Sequence, residues 1–254
     1  MKKTIFITCV TRMDENFACV AGIDENNRFI RPTIYYPDER PGIKREFLVS
    51  PTGEELIRPM TYVEFEFVEH RPELPYHSED WMIDAGVAPR IVSRSNDTAS
   101  QRILERNVSP SLSEAISKRD RSLVVVKSPF APKVKIKIDD EGRLSCRFTM
   151  KDSGSDWVSN ARDRKAPPRV TDAYWLAFCK HLYDNGMPEP EIEEYLRSLL
   201  KPAKNTYIVI GLTREWHRRY WRQISAVLTV PHWLGNRTLG DFQYDWTDNI
   251  REDV

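Results

Sequence analysis

No pair of cysteines or histidines in this 254-residue chain has the spacing of a zinc site. Cys9, Cys19, Cys146 and Cys179 are each isolated, so a CxxC redox pair and a Cys/His metal cluster are both excluded. Charge of one sign is missing too. Lys plus Arg (38) equals Asp plus Glu (38), which removes the histone-like coats that hold nucleic acid through bulk positive charge. Any contact with phosphates must come from a local patch. Long apolar runs are absent as well. Ile5 to Val10 follows Lys2 and Lys3 but is too short for a signal peptide and runs into Arg12, Asp14 and Glu15. No stretch is long enough to span a bilayer, and a cytoplasmic location with no membrane contact is the expectation. The chain also lacks the GxxxxGK phosphate loop, GxGxxG, HExxH and GxSxG, and we expect no cofactor, no metal and no catalytic residue set.

What is present is strand material. The chain is 40% hydrophobic, enough to bury a core. Thr4 to Val10 and Phe17 to Ile23 are β-branched and aromatic around a polar connection, and Arg28 to Pro32 reads as a third strand. Tyr62 to His70 alternates, with Val63, Phe65 and Phe67 opposed to Glu64 and Glu66. Residues 37–59 carry prolines and glycines among mixed charges and read as a long loop. Ser100 to Arg106 and Ser111 to Lys118 read as two short helices, the second with Ser111 and Glu114 in capping-box positions. Strand signals return at Ser122 to Lys127, Val134 to Ile138 and Leu144 to Met150. A helix capped by Thr171 follows, then one from Pro188 to Leu200, then strands at Tyr207 to Leu212 and Trp221 to Val230. The expected fold is mainly β with helical insertions, a β-rich α+β chain of two small barrels. The expected divisions are 1–94 for the first barrel, 95–120 for a helical connector and 121–254 for the second, with a helical insertion at 171–200 and an acidic tail. One mixed α+β domain is the competing architecture.

Several strings resemble the bacterial dual OB-containing domain family. They are Cys9-Val10-Thr11-Arg12, Cys19 to Asp24, Arg28-Phe29-Ile30-Arg31-Pro32, Pro75 to Trp81, Arg169 to Trp175 and Tyr207 to Arg214. They come in the family's order over nearly the whole chain. Two departures stand out: Ala173 where a proline is expected, and the basic stretch Trp216 to Trp221. The resemblance implies two OB-like barrels, nucleic acid as partner and a role in bacterial defence against foreign DNA.

Candidate binding residues follow from charge and ring placement. Arg214, Trp216, Arg218, Arg219, Trp221 and Arg222 interleave cations with flat rings, as phosphate neutralisation plus base stacking requires. A hairpin with both tryptophans in the core and solvated arginines accounts for the same pattern. Lys133, Lys135 and Lys137 alternate with Val134, Ile136 and Ile138, which puts the lysines on one strand face. A charged edge strand guarded against aggregation is the alternative there. Arg162, Arg164, Lys165 and Arg169 lie on a loop that could order around a nucleic acid. Arg12, Arg28 and Arg31 sit near strand ends, where OB-like barrels present ligand-facing groups, although Arg31 could instead pair with Asp24 or Asp80 between layers.

The first functional reading is therefore a DNA- or RNA-binding module for single-stranded or distorted nucleic acid. A second is a non-catalytic adaptor for a helicase or nuclease partner. A third is a metal-dependent nuclease or nucleotide-processing enzyme built on His77, Glu79 and Asp80, a cluster for which a structural network is the simpler account.

Overall fold

The structure, a computed structural model, describes all residues except 14–15, 38–40, 73–75, 119, 161–165, 202–204, 214–220 and 243–254. The first half is built from β1 (Lys2–Arg12), β2 (Phe17–Ile23), β3 (Phe29–Thr33), β4 (Ile43–Lys44), β5 (Thr61–His70), β6 (Asp80–Ile83) and β7 (Arg90–Arg94). β1 pairs with β2 through its C-terminal half and with β5 through its N-terminal half. The circuit β1-β2-β3-β6-β5-β1 therefore closes on itself, with β3 and β6 parallel and every other pair antiparallel. This is a five-stranded OB-type barrel. Closure needs a close approach of β1 and β2. A Cβ on Gly22 would lie 2.5 Å from the carbonyl oxygen of Phe6, so only glycine fits there.

The connector holds α1 (Asp97–Asn107) and α2 (Leu112–Ser117). Asn96 caps α1 by accepting from Ala99 N, and Ser111 caps α2 by accepting from Glu114 N.

The second half repeats the strand order. It contains β8 (Leu123–Ser128), β9 (Lys133–Ile138), β10 (Leu144–Thr149), β11 (Arg169–Val170), α3 (Ala173–Asp184), α4 (Glu189–Leu200), β12 (Asn205–Leu212) and β13 (Arg222–Val230). The sheet order is β8-β12-β13-β11-β10-β9, with β11 and β13 parallel. β8 and β9 together fill the place of β1, since β8 pairs with the strand equivalent to β5 and β9 with the strand equivalent to β2. Ser128-Pro129-Phe130-Ala131-Pro132 separates them, and two prolines without N–H groups account for the break. α3 and α4 stand where 34–60 stands in the first barrel. Asp172, not Thr171, caps α3: its carboxylate accepts from Tyr174 N (3.0 Å) and Trp175 N (3.2 Å), while Thr171 N bonds to Ile224 O in the ladder.

β12 and β13 are buried on both faces, as their unbroken apolar runs require. Ile208, Ile210, Ile224 and Val227 join the main core, along with Trp175, Phe178, Ile192 and Leu196 from the helices. The opposite set, Tyr207, Val209, Ala226 and Leu228, packs with Leu123 and Val125 against Phe6, Cys9, Ala21 and Met60 of the first barrel. A register shift between Ile7 and Cys9 puts Cys9 on the side of Phe6, so both face this second layer. The halves thus meet back to back over an apolar layer, with Arg12 N bonded to Thr171 O (2.9 Å) at its margin. Among the described residues no helix is long and apolar enough to cross a membrane.

Candidate nucleic-acid interface

β9 is one of the two end strands of the second sheet, β8 being the other. Val134 and Ile136 point into the core, whereas Lys133, Lys135 and Lys137 are exposed. The Asp139 to Arg143 turn sets the register with β10, so that Lys133 faces Thr149, Lys135 faces Arg147 and Lys137 faces Ser145. Arg147 in turn faces Arg169 of β11, and Arg169 faces Gln223 of β13. Directly opposed residues share a face. Lys135, Arg147 and Arg169 therefore form a row of cations across three strands, with Lys133 and Lys137 on either side.

The edge itself is covered by α4. Glu193 Oε1 accepts from Ile136 N (3.0 Å) and Glu189 Oε1 from Ile138 N (2.7 Å), which satisfies the outward amides that an open sheet edge exposes. Glu193 also lies 3.1 Å from Lys135 Nζ. Arg147 Nη1 donates to Pro167 O (3.0 Å). Protection of the edge thus comes from helix carboxylates on the backbone.

The cations expected in the first half occupy different surroundings. Arg31 pairs through Nε with Asp80 Oδ1, donates to Ser122 Oγ (3.1 Å) and lies 4.0 Å from Glu79. Arg12 is buried at the junction of the halves. Arg28 is exposed in the β2–β3 turn, its backbone N–H bonded to Asp24. Its neighbour Asn27 lines an open cleft of about 300 Å³ against the connector, alongside Arg106, Lys118 and Arg121.

Of the basic aromatic stretch, Arg214, Trp216, Arg218 and Arg219 lie outside the described residues, as do Arg162, Arg164, Lys165 and the tail beyond 242. Trp221 and Arg222 are half-buried. Trp221 N donates to Thr213 Oγ1 (3.0 Å) and Thr213 N to Trp221 O (2.9 Å), closing the base of the β12–β13 connection. That base adjoins Gln223, which faces Arg169 at the end of the cationic row.

His77, Glu79 and Asp80 do come together, buried at the junction. Asp80 holds Arg31, and His77 Nδ1 is 3.7 Å from Asp80 Oδ2. Glu79 Oε1 accepts from Ser122 N (3.0 Å) and from Ser122 Oγ. The carboxylates are engaged in joining β3, β6 and the start of β8. Among the described residues no group of three or more His, Cys, Asp or Glu is placed to hold a metal ion.

Arg147 is absent from the sequence-derived candidates. Its signal lies in the alternation of Leu144 to Thr149: Cys146 and Phe148 go inward, so Arg147 shares the outer face with the lysines opposite it.

A crystal structure of a deletion mutant of the single-stranded DNA binding protein from Thermus aquaticus is similar at 9% identity, covering 90% of this chain and 94% of that one, with a TM-score of 0.22. At that level the likeness adds nothing to the reading of the fold. No curated protein matches the chain. The profile of the dual OB-containing domain matches residues 3–227, across both sheets and the helices α1 and α2 between them. With one strand order occurring twice and the profile spanning both occurrences, the chain belongs to the dual OB-containing domain family.

Proposed function

We propose that the protein binds single-stranded nucleic acid along the outer face of β9, β10 and β11. The carrying observation is the row Lys135, Arg147 and Arg169, flanked by Lys133 and Lys137, on a chain whose net charge is zero. Like charges directly opposed across strands are destabilising, and Glu193 is the carboxylate placed beside Lys135. A phosphate backbone laid over the row relieves that repulsion and releases counterions. The outer face of strands two and three is where OB barrels take oligonucleotides, and β10 and β11 hold those positions here. Arg214, Trp216, Arg218 and Arg219 fall by sequence in the β12–β13 connection, whose base adjoins Gln223, and remain proposed contacts on their residue types alone. Such a module would hold a strand for a separate helicase or nuclease, and a defence role against foreign DNA follows the same logic.

The test is fluorescence anisotropy with labelled single-stranded and double-stranded DNA and RNA across a salt series. Lys133, Lys135 and Lys137 changed together to Gln should lower the affinity. The log–log salt slope on a single strand should flatten by about 0.7 for each phosphate that is no longer neutralised. A folded triple variant with the parent's affinity and slope would remove this face from the proposal.

A further inference from the structure

Trp157 leaves 63% of its surface exposed, and Phe130 68%. Large rings normally bury most of their area, so both stand where folding gains little from them. Their positions relate to the cationic face. β10 continues past Thr149 through buried Met150 to Lys151, which by alternation is on the outer face with Arg147 and Thr149. Lys151 forms a β-bridge with Trp157, so the indole is on that face as well. Lys151 Nζ is 5.3 Å from its ring centre. From Arg147 to Lys151 the strand advances roughly 13 Å, a span of about two nucleotides.

The loop that carries Trp157 is held firmly. Buried Asp152 accepts from Asp156 N (2.9 Å) and from Leu112 N of the connector (2.9 Å). Val158 N bonds to Met150 O (3.0 Å), and Ser153 Oγ accepts from Lys127 N (2.8 Å) of β8. The backbone of Phe130 reaches the same corner, where Ser128 Oγ donates to Phe130 O (2.5 Å) and lies 3.5 Å from Lys151 O. A ring fixed in advance beside a cation gives up little freedom on meeting a ligand.

We infer that Trp157, with exposed Phe130 on the adjoining loop, is a base-stacking platform for unpaired bases at the Lys133 end of the cationic face. The inference rests on the function proposed above and names a subsite of it. Unpaired bases are the occupant the charges favour: Lys133 and Lys151 sit where the adjoining phosphates would pass, and every base has a face that stacks.

Anisotropy with a labelled 20-mer of thymidylate separates the two claims. Trp157→Ala should weaken binding roughly 5- to 150-fold with the salt slope unchanged, and Trp157→Phe should keep most of the affinity. An oligonucleotide carrying 5-iodouracil should photocrosslink to the parent protein at Trp157 or Phe130, a readout that needs no variant to fold. If the lysine variant weakens binding while folded Trp157→Ala binds as the parent does, or if the crosslinks map elsewhere, the platform is overturned and the cationic face stands. If the parent binds no single strand at low salt, both fall. A Trp157→Ala variant that fails to bind a partner protein while holding nucleic acid as the parent does would likewise overturn it.

Discussion

The closed barrel of the first half and the open sheet of the second run the same strand order but place some of their basic residues differently. In the first, Arg31 and Arg12 are turned into the junction, and Arg31 meets Asp80, Glu79 and Ser122. In the second, Lys133, Lys135 and Lys137 stand exposed on the outer face with Arg147 and Arg169 across the strands from them. The strand that closes the first barrel is continuous, whereas its counterpart is cut by Pro129 and Pro132, and α4 covers the edge left open. Arg31 and Arg12 thus serve attachment between the halves, whereas the second half sets Lys135, Arg147 and Arg169 side by side on its outer face. Repetition of a fold does not repeat its surface chemistry.

The comparison breaks most visibly if either barrel stands alone. Phe6, Cys9, Ala21 and Met60 are covered by Leu123, Val125, Tyr207 and Leu228, so separating the halves exposes an apolar layer on both. Fragments 1–120 and 121–254 should each lack a cooperative urea transition and bind a hydrophobic dye. A sharp transition in either fragment would mean that the shared layer is dispensable.

Next in size is the buried ion pair. Arg31→Met leaves Asp80 charged and enclosed, and should cost about 3–5 kcal/mol of unfolding free energy in urea. A loss below about 1 kcal/mol would return Arg31 to the candidate binding residues.

Asp172 supplies the pH dependence. Burial pushes its carboxyl up to about 7 from 3.8, against the amides of Val227, Trp175 and Tyr174, which favour the charged form. Between pH 4 and 7 the folded chain keeps a proton that the unfolded chain has released. This contribution is therefore fully present below pH 4, is lost as pH rises toward 7 and is level above, at about 1.4 kcal/mol for each pKa unit. Asp172→Asn removes the titration but sets an amide NH2 against Val227 N–H, so it should be less stable throughout and flatter over that window. Urea melts at pH 5 and pH 8 check this, and an equal pH slope in both proteins would contradict it.

How much of this was legible in the sequence depends on the range of the interaction. Strands with one wet face, such as Tyr62 to His70 and Lys133 to Ile138, announce themselves by alternation, and the Ser111 cap by its partner three residues on. Arg90–Arg94 is exposed along most of its length and carries no period, while Arg169–Val170 is too short to show one. The parallel pairs β3–β6 and β11–β13 join segments far apart in the chain, where local pattern is silent. At Thr171-Asp172 both residues can cap, and only the ladder bond of Thr171 to Ile224 decides between them. The lysine face could be read from spacing alone. Its extension through Arg147 needed the register; the Arg31–Asp80 pair was one of two partners the sequence offered, while the added bond to Ser122, 91 residues away, was not readable.

The smallest stability effect sharpens the contrast furthest. Lys135 is three-quarters exposed and its pairing with Glu193 is a surface contact, so Lys135→Gln should change unfolding free energy by less than about 0.5 kcal/mol. Glu193 would keep its bond to Ile136 N, so the edge of β9 stays covered. Removing one cation from the row should nonetheless lower single-strand affinity and reduce the salt slope by about 0.7. Arg31→Met is expected to do the reverse: a large stability loss, with the salt slope of whatever folded fraction binds unchanged. Chemical denaturation and a salt series on the same two proteins read both effects. If Lys135→Gln instead costs stability and leaves the slope alone, the outer lysines are fold-stabilising, and the division of labour between the barrels disappears.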